Sequence, residues 1–215
     1  MAQPKQKAPR EIICVSHLTG AEGETMARRV SERLAFRYLD EEIIERAAEG
    51  IDLHPSVVGD IERRKSLMAR IGEAMTIQSS PRLPQAPDPS SGGREMPSAE
   101  DLRAVIRDAI RETAQTGGIV IASHAASMVL AERDDALRVL VTASPKRRAG
   151  RIAKTRNLDP RQAEKVIEQE DAARADYLKR FYGVELELPT HYDLVINTDK
   201  VTPEQGADVI VLAVE

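Results

Sequence analysis

Short apolar segments alternate with amphipathic helical segments along most of this chain of 215 residues. The first apolar segment, Glu11–Val15, ends in a loop of small residues, Ser16–Gly23, and a helical pattern follows over Glu24–Ala35. Strand, loop and helix in this order are typical of sheets whose strands run parallel. We therefore predict an α/β fold with three α/β/α layers around a mostly parallel sheet.

The same alternation continues along the sequence and predicts five strands in all. After the first, the predicted strands are Phe36–Leu39, Ile119–Ala122, Leu137–Val141 and Asp193–Asn197. The helical patterns between and after them cover 41–49, 55–77, Ala99–Thr116, Pro145–Arg156, Pro160–Tyr182 and the residues from Pro203 onward. Because the carboxyl ends of parallel strands meet at one edge of a sheet, we expect a ligand site at that edge.

Composition excludes several classes of protein. With 41% hydrophobic and 31% charged residues the chain suits one soluble domain, and a formal charge of -4 gives no general attraction to nucleic acid or membrane surfaces. The lone cysteine, Cys14, excludes an intrachain disulfide framework and a cysteine-rich metal site. Apolar stretches are far shorter than the roughly 18 residues of a membrane-spanning helix. We expect a cytoplasmic protein that binds neither nucleic acid nor membrane.

We expect residues 11–215 to form a single domain, preceded at 1–10 by a disordered tail that contains two prolines and no apolar centre. Residues 78–98 are predicted to be a flexible loop within that domain, because they contain five of the twelve prolines together with Ser-Ser-Gly-Gly. Residues 145–182 are predicted to form a basic, lid-like helical region.

The loop after the first strand, Ser16–Thr25, lies where a phosphate-binding loop would lie. Against the pattern G-x-x-x-x-G-K-[ST], Gly23 matches the second glycine and Thr25 the hydroxyl position. The first glycine is replaced by Leu18 and the lysine by Glu24. Backbone amides at the start of the following helix could bind an anion. The two glycines could equally serve the geometry of the turn alone.

A second candidate site is the helix Pro145–Arg156, which contains six basic residues and no acidic residue. Arg147, Arg151 and Lys154 recur at helical spacing and so share one face. Such a face is either a cationic lid for phosphates or an ordinary solvated surface.

The next predicted helix carries a third candidate group. Asp171, Arg174 and Tyr177 share one of its faces, and Arg180 is close by. This arrangement could orient an arginine toward a phosphate, or it could contain an ordinary intrahelical ion pair.

Taken in order, these parts resemble the cytidylate kinase-like proteins within the nucleoside monophosphate kinases. The similarity covers nearly the whole chain, and it rests on the order and spacing of several modest motifs. They are the segment 12–44 with its loop and Tyr38-Leu-Asp-Glu-Glu-Ile-Ile44, then Gly118–Ala125, Leu137–Val141 with the basic helix, Asp171–Gly183 and Tyr192–Thr198.

The resemblance implies Mg-ATP-dependent transfer of a phosphoryl group to a small-molecule nucleotide, a nucleoside monophosphate of the CMP type. The residues implied to bind ATP are Gly20, Ala21, Glu22, Gly23, Glu24 and Thr25, and the Thr25 hydroxyl would also help to hold Mg²⁺. The residues implied to bind the acceptor are Asp40, His17, His124, Asp171 and Tyr177. Those implied to close over the transferring phosphoryl group are Arg147, Arg151, Arg174 and Arg180.

Three positions depart from the family pattern. Glu24 stands where the loop normally has a cation, His17 where an arginine follows the serine, and Ser123-His124 where a Gly-Arg pair follows the third strand. A carboxylate beside a polyphosphate turns attraction into repulsion, and losing a cation slows phosphoryl transfer.

These departures leave two functions open. One is an active nucleotide kinase whose phosphate site consists of arginines and backbone amides despite the missing lysine. The other is a catalytically impaired pseudokinase that binds nucleotide, or keeps only the kinase shape, and acts through a protein partner. In either case we expect a monomer or a small homo-oligomer.

Two histidines form a further candidate group. If the sheet has the order found in the resembled family, the first and third strands are neighbours, and His17 and His124 end side by side near Glu22 or Glu24. Such a group could bind a divalent metal, or an anion once protonated near pH 6. The histidines could also form only local hydrogen bonds.

Overall fold

The strands of the chain form one parallel sheet in a computed structural model, which describes residues 10–40, 99–122 and 126–214. In these residues the strands are β1 (Ile12–His17), β2 (Arg37–Leu39), β3 (Ile119–Ala122), β4 (Ala136–Thr142) and β5 (Leu194–Asn197). Their order across the sheet is β2-β3-β1-β4-β5, and every neighbouring pair is parallel. The predicted five-stranded α/β fold is confirmed, with β1 at its centre.

Helices connect and cover the strands. In the described residues they are α1 (Gly23–Leu34), α2 (Ala99–Ala114), α3 (Ala126–Val129), α4 (Pro145–Arg156), α5 (Pro160–Tyr182) and α6 (Pro203–Val214). A 3₁₀ turn, Pro189–His191, precedes β5. Most of the helices agree with the predicted ranges to within two residues, whereas α3 was not predicted.

Several predictions from the sequence fall outside the described residues. They are the tail up to residue 9, the helices at 41–49 and 55–77, the loop at 78–98 and Ser123-His124.

Side chains along β1 point alternately to the two faces of the sheet, and residues 12–16 are all buried. This alternation produces the three layers. Ile12 and Cys14 pack on one face of the sheet against a cluster that includes Ile106 and Ile110 of α2. Residues 13 and 15 pack on the other face with side chains of α1 and α6. Burial raises the pKa of the Cys14 thiol to about 12, so this thiol is a packing group rather than a nucleophile.

The basic helix α4 and the long helix α5 pack against each other rather than on the sheet. A small apolar cluster joins them: Ala149, Ile152, Ala163 and Ile167. At its start α5 has a capping box, in which the Asp159 carboxylate accepts from the Gln162 N–H at 2.9 Å. The two helices therefore share a small apolar cluster of their own.

In the described part of the chain, no helix is long and apolar enough to cross a membrane.

An ion pair fastens the edge strand β5 to β4. Asp193 accepts hydrogen bonds from Arg138: from its backbone N–H at 2.9 Å, from Nε at 3.2 Å and from Nη2 at 3.0 Å. Burial alone would raise the pKa of Asp193, but the bonds from Arg138 outweigh burial and lower it.

Asp193→Asn should lower the free energy of unfolding by about 1–2 kcal/mol at pH 7. A carboxylate with a lowered folded-state pKa stabilises the fold above its unfolded pKa of about 4 and loses this contribution as the pH falls. Urea unfolding should therefore show the difference from wild type shrinking below about pH 4. The control is Asp134→Asn, in an exposed turn, which should change stability at neither pH. A difference for Asp193→Asn that does not depend on pH would contradict the prediction.

Candidate functional site

The loop between β1 and α1 is tightly constrained by its glycines. Gly20 has a φ of 78°, and a Cβ atom there would lie 2.8 Å from the carbonyl oxygen of Arg148. A Cβ atom at Gly23 would lie 2.2 Å from the Cβ of His17. The loop thus packs directly against α4 on one side and against the end of β1 on the other, and both contacts require glycine.

The first turn of α1 offers backbone amides to an anion. Its N-cap residue, Glu22, has a left-handed conformation with a φ of 63° and makes no side-chain cap hydrogen bond. Within the loop, the Leu18 amide donates to Val141 and the Ala21 amide to Leu18. Amides of an uncapped first helical turn favour negatively charged ligands, as does the helix dipole.

Arg148 of α4 holds the other side of this loop. Its guanidinium, only 3% exposed, forms two bonds with Asp171, Nη1 to Oδ1 at 2.9 Å and Nη2 to Oδ2 at 2.6 Å. Nη1 also donates to the Thr19 carbonyl oxygen, and Nε to that of Ala143, each at 3.2 Å. One buried side chain therefore connects the loop, β4, α4 and α5.

Arg151, one turn further along α4, makes a second connection. Its Nη1 donates to the Gly20 carbonyl at 3.1 Å and to the Thr198 hydroxyl at 2.9 Å, while Nη2 donates to the Thr198 carbonyl at 2.7 Å. Nη2 also lies 2.9 Å from a Glu22 carboxylate oxygen. Arg151 thus connects the loop, through the Gly20 carbonyl oxygen and the Glu22 carboxylate, to Thr198 after β5.

Arg174 of α5 lies in a separate acidic and aromatic cluster. Its Nε and Nη2 donate to the Glu187 carboxylate at 3.0 and 2.7 Å, and Nη2 lies 3.5 Å from the Tyr192 hydroxyl. The Tyr192 hydroxyl also donates to Glu187. Burial would raise the pKa of Glu187, but the bonds from Arg174 prevail and lower it. At neutral pH this cluster therefore contains a carboxylate held by a guanidinium.

At the opposite end of the loop, Glu24 forms an ion pair with Arg28 along α1. Arg28 Nη2 and Nε donate to the same carboxylate oxygen at 2.9 and 3.3 Å. The guanidinium carbon lies 4.1 Å from the centre of the Tyr38 ring, and the Tyr38 hydroxyl lies 3.5 Å from Asp40. The carboxylate at the lysine position is therefore paired with a cation of its own helix.

These features of strand, loop and helix lie within the segment that matches a known family. A model of the cytidylate kinase-like family matches residues 12–200. The chain belongs to the cytidylate kinase-like family.

Relatives of the chain bear this out. The cytidylate kinase of Pyrococcus horikoshii is 24% identical over 99% of this chain and 91% of that protein. That of Staphylothermus marinus is 26% identical over 93% of each chain. The cytidylate kinase of Sulfurisphaera tokodaii is 33% identical over 50% of this chain, a match that spans 59% of that protein.

Solved structures share the fold at low sequence identity. An uncharacterized protein from Eubacterium ventriosum has a TM-score of 0.65 and 14% identity, over 94% of this chain and 97% of that one. Shikimate kinase from Bacteroides thetaiotaomicron has a TM-score of 0.51 and 15% identity, with the same two coverages. These similarities establish the kinase fold of the cytidylate kinase-like chain.

The structure places the predicted arginines of this cytidylate kinase-like protein in different surroundings. Arg151 contacts the loop, and Arg174 lies in the Glu187 cluster. Arg147 is exposed, and its charge contributes to the lowered pKa of Asp199, which is due first to the Ser144 backbone N–H.

Arg180 and Tyr177 both contact neighbouring side chains of α5. Arg180 pairs with Asp176 one turn earlier on α5 and also lies 5.1 Å from the centre of the Phe181 ring. The Tyr177 ring packs edge-on against Phe181, with 4.7 Å between ring centres. Asp171 pairs with Arg148 of α4, so the anticipated pairing within α5 is replaced by one between helices.

Sequence reasoning missed Arg148, a buried residue that donates to the Thr19 carbonyl oxygen of the loop. It lies in a basic run beside Arg147, and the two have the same chemistry. The available signal was its position one helical turn before the buried Ile152, on the apolar side of α4.

Of the two candidate histidines, the structure describes His17. His124 lies outside the described residues. Burial first, and then the charge of Arg174, lower the pKa of His17, although Asp40 and Glu24 act in the opposite direction. His17 is therefore neutral at pH 7, and protonation near pH 6 is disfavoured. Among the described residues, no group of three or more His, Cys, Asp or Glu side chains could hold a metal ion.

Replacing Arg148 with methionine should lower the free energy of unfolding by about 1.5–3 kcal/mol, because the half-buried Asp171 loses both of its bonds to the guanidinium. A double-mutant cycle with Asp171→Leu should give a coupling energy of about 2 kcal/mol or more, measured by urea unfolding. The half-exposed Arg180–Asp176 pair is the matched control and should couple by less than about 1 kcal/mol. Equal coupling in the two pairs would refute the structural role of Arg148.

Proposed function

We propose that this protein transfers the terminal phosphoryl group of ATP to a nucleoside monophosphate, with a CMP-type acceptor. The observation that carries the proposal is the loop after β1. Its glycines permit close packing, its carbonyl oxygens accept bonds from Arg148 and Arg151, and its following helix begins without a side-chain cap. Phosphoryl transfer depends mainly on positioning and charge neutralisation, and this loop supplies the positioning.

The residues fit the phosphates of ATP through backbone amides. In Gly20–Thr25, the donors at the start of α1 would bind the phosphate oxygens. Two carboxylates of this segment, Glu22 and Glu24, oppose binding. Their ion pairs with Arg151 and Arg28 offset part of that repulsion.

Thr25 fits a role in holding Mg²⁺ by its chemistry and its position. It lies exposed on the first turn of α1, where its hydroxyl oxygen is accessible. Hydroxyl and phosphate oxygens are ligands that Mg²⁺ accepts while it keeps several waters. When bound, Mg²⁺ would neutralise charge on the phosphate oxygens.

Arg174 is the arginine best placed to contact the transferring phosphoryl group. It lines the same cleft as Leu18 of the loop, so it lies close to the loop. Only a fifth of its side chain is exposed (21%), and its guanidinium is already oriented by Glu187. A planar guanidinium in a partly desolvated site interacts strongly with phosphate oxygens.

The remaining assignments follow from the family and from position. We propose that Asp40 faces the acceptor nucleoside, together with Asp171, Tyr177, His17 and His124. We propose that residues 145–182 act as a lid in which Arg147, Arg151 and Arg180 assist Arg174.

A second function has support of its own, a nucleotide-binding or protein-interaction module without catalysis. Within the described residues, carboxylates form ion pairs with three arginines near the loop. The pairs are Glu22 with Arg151, Asp171 with Arg148 and Glu187 with Arg174. Such pairs would stabilise the fold in the absence of nucleotide.

Calorimetric titration with ATP, with and without Mg²⁺, followed by CMP, separates the two functions. Micromolar binding of both nucleotides, with turnover in a coupled assay for ADP, would support the kinase. Binding of ATP without turnover of any nucleoside monophosphate would support the binding module. The absence of binding at millimolar nucleotide would overturn both nucleotide-dependent functions.

Glu24→Lys should tighten the binding of Mg-ATP at least tenfold, because it exchanges a repulsive for an attractive charge at the start of α1. Calorimetry gives the dissociation constant directly. Glu32→Lys adds the same charge to an exposed position of α1 and should alter the constant by less than twofold. If the two variants behave alike, the loop does not face the phosphates.

Arg174→Ala should lower kcat at least about 100-fold, because the transferring phosphoryl group would lose a guanidinium. Arg174→Lys should also be impaired, since an ammonium group lacks the planar fork. Lys179→Ala removes an exposed cation from the same helix and should retain wild-type kcat. An Arg174→Ala protein with normal thermal unfolding and wild-type kcat would exclude Arg174 from the reaction.

A further inference from the structure

Arg28 is a cation near the loop to which neither the motif nor the family resemblance gives a role. It lies one turn beyond Glu24 on α1, and its side chain reaches back toward the first turn of the helix. Two different contacts fix its guanidinium, the Glu24 carboxylate and the face of the Tyr38 ring. Because 54% of the side chain is nevertheless exposed, a ligand can reach it.

The position of Arg28 relative to the strands of the sheet distinguishes it from the other arginines. Arg148 and Arg151 come from α4, which follows β4, and they bind the carbonyl oxygens of the loop. Arg28 instead lies against Tyr38 of β2, and β2 and β4 are on opposite sides of β1. Arg28 is therefore on the side of the loop where Asp40 follows β2.

We propose that Arg28 binds the phosphate group of the acceptor nucleoside monophosphate. This inference rests on the proposed kinase function and adds a specificity residue to the same site. A guanidinium forms paired hydrogen bonds with phosphate oxygens, and stacking on an aromatic ring orients its plane. Tyr38 would keep that plane in place while the phosphate group replaces Glu24 as its partner.

The charges around Arg28 predict how this exchange depends on Glu24. The hydrogen bond with Glu24 is the main cause that raises the pKa of Arg28, and Tyr38 and Asp40 also raise it, so its guanidinium stays charged. A phosphate dianion must compete with the single negative charge of Glu24 for the guanidinium, and Glu24 also repels it. Removing the charge of Glu24 should therefore strengthen acceptor binding, whereas removing Arg28 should weaken it.

The experiment compares CMP with cytidine, because the two ligands differ only in the phosphate group. Calorimetry with the full chain should show that Arg28→Ala weakens CMP at least tenfold and leaves cytidine within twofold. Arg28→Lys should lie between wild type and Arg28→Ala, and Glu24→Gln should tighten CMP at least threefold. Arg29→Ala, which removes the neighbouring cation that pairs with Glu204 instead, should match wild type.

Kinetics then assigns the contact to the acceptor rather than to ATP. In Arg28→Ala, KM for CMP should rise at least tenfold while KM for ATP stays within twofold. A rise in KM for ATP alone, or unchanged CMP affinity, would overturn the role of Arg28. A wild-type protein that binds CMP more tightly than cytidine but does not turn over would overturn the kinase and retain the phosphate contact. If wild type binds CMP no better than cytidine, the contact is wrong whether or not ATP binds.

Discussion

The buried pairing of Arg148 with Asp171 connects the parts of the protein on which the candidate site depends. It links α4 to α5, and the same guanidinium holds a carbonyl oxygen of the loop and one at the end of β4. Breaking a mostly buried ion pair leaves a charge without its partner at a substantial cost. The position of the loop relative to the helical pair is therefore a consequence of core structure rather than of surface charge.

Burial separates the arginines that support the fold from those available to a ligand. Arg148 is 3% exposed, and a phosphate that replaced Asp171 would have to enter the space between the loop and two helices. Arg28 and Glu24 are both about half exposed, at 54% and 53%. A phosphate group can therefore replace the carboxylate at the guanidinium while both side chains stay largely in contact with water. The same residue type thus serves structure in α4 and, in the proposed site, ligand binding in α1.

Much of the fold was predictable because β-strand and helix patterns in this chain are strong and local. The strand Ile119–Ala122 and the helices Pro145–Arg156 and Pro160–Tyr182 have their predicted bounds. The four-residue helix α3 could not be predicted, because one turn contains too few residues to show a period.

The site was less predictable, because its contacts join residues that are distant in sequence. The partner of Asp171 is 23 residues away, on the preceding helix, and helical spacing points instead to partners on the same helix. The negative charge of Glu24, which departs from the motif, is also paired with the positive charge of Arg28. A sequence motif compares one position with one expected residue, whereas binding depends on the summed field of nearby charges. In the proposed site Arg28 would supply a cation in place of the lysine, and phosphate recognition at this loop would depend on the pair Glu24 and Arg28 rather than on position 24 alone.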